Sequence, residues 1–319
     1  MDLKSKIPNL QENVLMSNHT TFRIGGPARY FLVAGSPEEL LVAVRSAREE
    51  GVPFFVFGGG SNLLVADRGF DGLIIKIRLD DFKVEGNKIL AQAGVFLSRL
   101  VAESVDHRLN GLEWAAGIPG TIGGAIYGNS GAYGHSISEL VETVEVISWN
   151  NFEAKEYSRK DCEFVYRGSR FKNKKTDEVI IGVTLHLAAG DQQESREKIK
   201  SVIAQRKGKI PVYPSAGSFF TNYRVQKNID NDPLIKKFPE LKENIRGGKI
   251  AAGLMIEQCG LKGKQIGGAM IANEHANFIV NLGGATSADV LELIKICREK
   301  VGEKFGVELK TEKILVGFD

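Results

Sequence analysis

Two stretches of this chain are dense in glycine. The first is Gly58-Gly59-Gly60-Ser61-Asn62. The second runs from Trp114 to Gly134 and holds Gly117, Gly120, Gly123, Gly124, Gly128, Gly131 and Gly134. Without a Cβ, successive backbone N–H groups can close on an anion, or a length of main chain can lie against a flat ring. Neither stretch has GxGxxG spacing, and no Gly-Lys pair is followed by Ser or Thr, which disfavours a doubly wound dinucleotide fold and a P-loop ATPase. Either stretch alone reads as a set of tight turns. Two in one half of the chain favour a pyrophosphate nest in the first and a ring-lining surface in the second.

Other polar residues say less one by one. Alone, Arg167 reads as a surface arginine, Ser218 after Gly217 as a turn serine, and Glu312 as a solvent-facing carboxylate. His19, His107, His135, His186 and His275 lack metal-ligand spacing. Cys162, Cys259 and Cys297 are odd in number and have no CxxC pair, so neither a zinc site nor a disulfide framework is expected.

The elements that must hold these groups follow from periodicity. Residues 30–34 read as a strand, and Ser36-Pro37-Glu38-Glu39 supplies an N-cap, a first-turn proline and a capping-box glutamate. The helix that follows should bury Leu40, Leu41, Val44 and Ala47 and stop at Gly51, before a strand at 53–57. This is a small βαβ unit. A strand at 72–77, a hairpin turning at Glu85-Gly86-Asn87 and a helix over 96–107 come next, with Leu97, Leu100, Val101 and Val105 inward. The glycines between Trp114 and Gly134 are too many for a regular helix or strand. Strands are expected at 141–148, 152–157 and 179–187. A charged helix over 192–207 ends at a proline-bearing boundary, 209–214. The last part should contain a helix at 250–259, strands near 265–271 and 277–282, and a helix over 287–305 with Val290, Ile294, Cys297 and Val301 buried. A closing strand at 307–316 is expected to return to the middle domain.

With 319 residues, 43% of them hydrophobic and 25% charged, the chain can bury sizeable cores and calls for two or three domains. A net charge of +3 is too mild for a nucleic-acid surface. Residues 1–15 show no apolar signal-peptide core and no apolar run reaches membrane-spanning length, so a cytoplasmic protein is expected.

Thr21-Phe22-Arg23-Ile24-Gly25-Gly26-Pro27-Ala28, the Gly58 to Asn62 loop with Leu63-Leu64-Val65, and Ala116-Gly117-Ile118-Pro119-Gly120-Thr121-Ile122-Gly123-Gly124-Ala125 occur in that order. Together they resemble the UDP-N-acetylenolpyruvoylglucosamine reductase family, also called UDP-N-acetylmuramate dehydrogenases. The resemblance continues through Tyr166-Arg167-Gly168-Ser169-Arg170-Phe171, Ala216-Gly217-Ser218-Phe219-Phe220-Thr221-Asn222 and the run from Ala252 to Gly263. It also takes in Gly267-Gly268-Ala269, His275-Ala276-Asn277-Phe278 and Glu308-Leu309-Lys310-Thr311-Glu312. A flavin enzyme with another substrate would share the first set and not the second.

The resemblance implies an α+β protein: a vanillyl-alcohol-oxidase/p-cresol-methylhydroxylase-type FAD-binding fold in two subdomains, 1–78 and 79–208, the second completed by 309–319, plus a C-terminal α+β substrate-binding domain, 209–308. It implies that Gly58, Gly59, Gly60, Ser61, Asn62 and Leu63 hold the FAD pyrophosphate. Ala116, Gly117, Ile118, Pro119, Gly120, Thr121, Gly123, Gly124 and Ala125 would line the cofactor, with Ile180 and Ile181 as weaker contacts. The implied reaction reduces the enolpyruvyl ether of UDP-N-acetylglucosamine to the lactyl ether with NADPH, in two half-reactions. Arg167 and Glu312 would stabilise charge at the substrate carboxylate and Ser218 would donate a proton to carbon. Lys209, Asn222 and Gln258 would hold the substrate, Lys209 also reaching NADPH phosphate. Neither metal, nucleic acid nor membrane is implied, and a monomer is expected. Two departures stand out. Thr221-Asn222-Tyr223 replaces the usual basic residue, Asn and Pro, and the connection 222–251 lacks the tyrosine-bearing loop of one subgroup, which leaves Tyr223 and Tyr133 as candidates for gripping the UDP.

Overall fold

The structure is a computed structural model describing residues 3–173 and 176–318. Residues 1, 2, 174, 175 and 319, which fall inside the expected domain ranges, lie outside the described residues. The chain forms two compact units. One comprises Met1–Val14, Ala28–Gly60 and Phe70–Lys207, the other Leu15–Pro27, Ser61–Gly69 and Gly208–Asp319.

In the first unit the Ser36 hydroxyl accepts from the Glu39 N–H at 3.2 Å, and Pro37 opens the helix Pro37–Glu49. Leu40, Val44 and Ala47 are buried, and Gly51 ends the turn at φ +65°. The strands flanking this helix, Pro27–Ala34 and Phe54–Phe57, do not touch. Both pair in parallel with Phe70–Ile77, which lies between them, and Gln11–Leu15 adds an outer strand. Leu73, Ile74 and Ile75 are fully buried, the mark of a central strand covered on both faces.

A second sheet of five antiparallel strands has the order Ala154–Ser158, Val141–Ser148, Glu178–His186, Lys88–Gln92, Phe82–Glu85. The helix Leu97–Asp106 turns Leu97, Leu100, Val101 and Val105 inward, as its spacing predicts. Gln192–Arg206 is helical too.

One expectation fails inside the second glycine-rich stretch. Residues Ile122–Gly128 form an α-helix, although Gly123, Gly124 and Gly128 lie within it. Thr121 caps it, its hydroxyl accepting from the Gly124 N–H at 3.4 Å, and the Gly123 N–H donates to Ala93 O at 2.9 Å. A Cβ on Gly123 would lie 2.7 Å from the Ala93 Cβ. Close packing offsets the propensity cost of glycine, about 1 kcal/mol per residue.

The second unit has its own core around Phe22, Phe219, Phe220 and Met255. Its four-stranded antiparallel sheet runs Ser215–Ser218, Phe278–Asn281, Ala269–Ile271, Gln265–Ile266. The helix Ser287–Phe305 begins with a Thr286/Asp289 capping box, buries Val290, Ile294, Cys297 and Val301, and closes at Gly306 with φ +69°. The C-terminal strand does not join the sheet of 79–208, contrary to expectation. The closing strand is Ile314–Val316, and it pairs in parallel with Leu63–Val65. Leu63, Leu64 and Val65 are all buried, an apolar run that needs a partner strand, and 309–318 belongs to the second unit. Among the described residues no helix is long and apolar enough to cross a membrane.

Candidate functional site

In the first unit the two glycine-rich stretches lie back to back. A Cβ on Gly58 would meet Thr121 Oγ1 at 2.3 Å, and one on Gly59 would meet the Gly120 Cα at 2.8 Å. Only glycine permits this approach. Gly60 has φ +66° and is buried. Among the described residues the N–H groups of Gly58, Gly59 and Gly60 have no protein acceptor within hydrogen-bonding distance. Amides withdrawn from water are almost always paired, so three in succession without a protein partner, one of them in the buried Gly60 and two in the half-buried Gly58 and Gly59, suit an anion such as a pyrophosphate.

The second stretch divides into two parts. Ala116 and Ile118 donate to Glu113 O and Ala115 O in a tight turn, while Gly117 and Pro119 are exposed. From Ile122 on, the amides are spent inside the protein: Ile122 on Val95 O, Gly123 on Ala93 O, Gly124 on Thr121. Ala93 N–H in turn donates to Ile181 O at 2.8 Å, which ties Ile181 to this helix. Gly124 is exposed, whereas Ala125 is buried. Gly117, Pro119 and Gly124 are therefore what this stretch presents at the surface.

Arg167 sits at φ +58° in a turn closed by Val165 and Gly168, each donating its N–H to the other's carbonyl at 3.0 and 3.1 Å. Asn129 Nδ2 donates to Val165 O at 2.9 Å, and the fully buried Ser169 donates to Tyr127 O at 2.8 Å. The arginine turn is thus fastened to the C-terminal end of the glycine-bearing helix. Arg206 also meets this region. Its guanidinium donates to Gly117 O at 3.4 Å and stands 5.6 Å from the Tyr133 ring, and burial pulls its pKa below the ordinary value.

In the second unit Ser218 and Glu312 lie on adjoining segments. Ser218 pairs with Phe278, and the next residues run antiparallel to the C-terminal segment: Phe220 faces Thr311, the Glu312 N–H donates to Phe219 O at 2.8 Å, and the Thr221 N–H donates to Lys310 O at 3.0 Å. Asn277 holds the other side. Its carbonyl accepts from Phe219 N–H at 2.8 Å, while its side chain accepts from Phe220 N–H at 2.9 Å and donates to Phe220 O at 2.8 Å. Asn62 donates through Nδ2 to Glu312 O at 3.2 Å and accepts at Oδ1 from Lys313 Nζ at 2.5 Å, so its side chain fixes the C-terminal segment. Asn277 lies inside a quoted motif and carries no charge to mark it. Lys313 is a buried lysine between two half-buried residues, and no local pattern marks it.

Asn222 Oδ1 accepts from the Ala252 N–H at 3.2 Å, at the start of the helix Ala252–Gln258, and Gln258 is exposed at its far end. Lys209 is exposed. Tyr223 is spoken for: its hydroxyl donates to both oxygens of the fully buried Asp232 at 3.1 Å. Asp232 also accepts from the N–H groups of Gln226, Leu234 and Ile235, so the phenol anchors the segment after Asn222. Cys297 and Cys162 are pushed up to about 12 by burial. Among the described residues no group of three or more His, Cys, Asp or Glu is placed to hold a metal.

Residues 209–316 match the UDP-N-acetylenolpyruvoylglucosamine reductase C-terminal domain family, and residues 28–151 match an FAD binding domain family. UDP-N-acetylenolpyruvoylglucosamine reductases of Caldanaerobacter subterraneus subsp. tengcongensis and Clostridium tetani are 40% and 38% identical, over 96% and 98% of this chain and 93% of each relative. The chain belongs to the UDP-N-acetylenolpyruvoylglucosamine reductase family. The crystal structure of the family member from Thermus caldophilus is 32% identical and superposes with a TM-score of 0.76, covering 96% of this chain and 99% of that one. With its FAD binding domain, this member of the family is an FAD-dependent oxidoreductase. The unpaired amides of Gly58 to Gly60 and the exposed Gly117, Pro119 and Gly124 fit such a cofactor.

Proposed function

We propose that the chain reduces the enolpyruvyl ether of UDP-N-acetylglucosamine to the lactyl ether, UDP-N-acetylmuramate, using NADPH, as a cytoplasmic monomer in peptidoglycan precursor synthesis. FAD, when bound, would supply hydride at N5. Gly58, Gly59 and Gly60 would hold its pyrophosphate with backbone N–H groups, and 116–121 and Gly124 would line it.

Hydride addition to a vinyl ether conjugated with a carboxylate leaves negative charge delocalised into that carboxylate. Arg167 and Glu312 are assigned to it, the arginine as a cation and the glutamate through a shared proton. Preorganised groups of this kind are worth about 3–4 kcal/mol each in the transition state. Ser218 then gives its hydroxyl proton to the carbon bearing the ether oxygen. Lys209, Asn222 and Gln258 are assigned to the rest of the substrate, Asn222 through whatever capacity its bond to Ala252 leaves.

The observation that carries this reading is the register placing Phe219 beside Glu312, because it puts the proposed proton donor and a proposed carboxylate partner on adjoining segments of one unit. The test is a spectrum of the purified yellow protein, anaerobically, before NADPH, after it, and after the UDP-sugar. Bleaching followed by recovery supports the reading. Bleaching without recovery means a flavin reductase for another substrate, and no bleaching at all means a scaffold that only senses nucleotide sugars.

A further inference from the structure

We propose that Lys313 is a positioning residue for Ser218, holding the turn that carries the serine and placing a fixed positive charge in it. The inference rests on the reading above, in which Ser218 is the proton donor.

Lys313 is only 9% exposed. Its Nζ donates to Asn62 Oδ1 and to Ala216 O, both at 2.5 Å, and stands 5.6 Å from the Phe219 ring centroid. The antiparallel register seen at Phe220 and Thr311, continued through Phe219 and Glu312, sets Lys313 opposite Ser218. Between Ala216 and Ser218 the backbone turns through Gly217 at φ +81°, where a Cβ would be 3.7 Å from Nζ. One ammonium therefore ties together the loop at Asn62, the strand that presents the serine, and the segment that carries Glu312.

Burying a charge is costly, and an apolar side chain beside Phe219 would fill the same space more cheaply. A cation is nevertheless there, and among the groups it bonds are the side-chain oxygen of Asn62 and the carbonyl of Ala216. When Ser218 gives up its proton, the O–H bond breaks, a C–H bond forms at the ether-bearing carbon, and Oγ is left as an alkoxide until water returns the proton. That oxygen gains a full negative charge within the turn that Lys313 holds. A fixed cation in a place of low dielectric lowers the cost of that step without reorganising. The same bond to Ala216 O limits the freedom of the Gly217 turn and hence the direction of the serine hydroxyl.

The test compares Lys313→Met, Lys313→Gln and Lys313→Arg, each purified with its FAD, in the two half-reactions by stopped-flow absorbance in H2O and D2O. For Met and Gln, reduction by NADPH should stay within about threefold of the parent. Reoxidation by the enolpyruvyl substrate should slow about 100-fold, the usual loss when one preorganised donor is removed. The solvent isotope effect on reoxidation should rise, because proton transfer now limits it. Arginine, which keeps charge and donors, should recover most of the rate. If Met loses FAD, the comparison of Gln with Arg decides. Wild-type-like reoxidation in Gln, equal loss in both half-reactions, or failure of Arg to outperform Gln would overturn the proposal. A parent protein that the UDP-sugar does not reoxidise would instead overturn the reading of function.

Discussion

Gly59 and Gly120 stand so close that a Cβ on the first would lie 2.8 Å from the Cα of the second and 3.4 Å from the Thr121 nitrogen. The two glycine-rich stretches are therefore one structure, and each needs its glycines because of the other. The amides of Gly58 to Gly60 make no hydrogen bond to a protein acceptor among the described residues.

Gly59→Ala should push the two backbones apart. The atoms in the way are main chain, which cannot step aside like a flexible side chain. Overpacking of this kind costs about 1–3 kcal/mol, or roughly 5- to 150-fold if it falls on cofactor affinity. Flavin absorbance per mole of purified protein should fall well below the parent's, with the melting temperature lowered as well. Full FAD occupancy in the variant would contradict the close fit.

Much of this arrangement was legible in the sequence, and the misses have physical causes. The Ser36 cap and the stripe of Val290, Ile294, Cys297 and Val301 follow from local rules, because cap chemistry and periodicity act over a few residues. The helix Ile122–Gly128 was missed because its glycines answer to a distant neighbour, Ala93, and propensity takes no account of packing. The partner of Ile314–Val316 was missed for the same reason: nothing local selects Leu63–Val65 over the other strands. Tyr223 looked like a substrate contact until Asp232, nine residues on, took its hydroxyl. The part played by Lys313 depends on a register between remote segments, which spacing alone does not encode.

Gly123 and Gly124 are adjacent in one helix, and their alanine variants should part company. Gly123→Ala places a Cβ 2.7 Å from the Ala93 Cβ and 2.9 Å from its carbonyl oxygen, so overpacking should outweigh the gain of about 1 kcal/mol in helix propensity. At Gly124 the nearest atom is Thr121 Oγ1 at 3.7 Å, and alanine should stabilise the FAD-free protein by about 0.5–1 kcal/mol. If Gly124 lies against the cofactor, the same variant should weaken FAD binding. Denaturant melts of the FAD-free protein beside FAD titrations would show stability and affinity moving in opposite directions.

Ser218→Ala should leave reduction by NADPH near the parent rate and slow reoxidation by the enolpyruvyl substrate by at least ~100-fold, within the range for a general acid. Glu312→Gln should weigh on the same half-reaction. Stopped-flow traces recorded separately for the two steps decide the matter, since equal losses in both would assign Ser218 to binding or folding instead.

Tyr223→Phe removes a donor from Asp232, whose carboxylate is fully buried and caps the helix Pro233–Lys237. Burial and then the Asp232 charge push the Tyr223 phenol up, which keeps it a donor. Losing that bond should cost about 1–3 kcal/mol of stability, while KM for the UDP-sugar changes little. A large rise in KM with an unchanged melting temperature would return Tyr223 to the substrate.

His275 should make the protein sensitive to mild acid. Burial holds its imidazole below the usual value, with Lys262 adding to the shift and Glu257 opposing it. Its Nδ1 accepts the Asn277 N–H at 3.1 Å, a bond that a proton on Nδ1 would break. Asn277 in turn pins Phe219 and Phe220 next to Ser218. The unfolded chain takes up the proton near pH 6.5, but the native state resists it until a lower pH. Stability is therefore complete above about 6.5 and declines as pH falls from there toward the native pKa. Gln in place of His275 can still accept the Asn277 N–H and has no proton to gain. Denaturant midpoints measured from pH 8 downward should fall more steeply for the parent than for His275→Gln, and parallel curves would remove His275 as the cause.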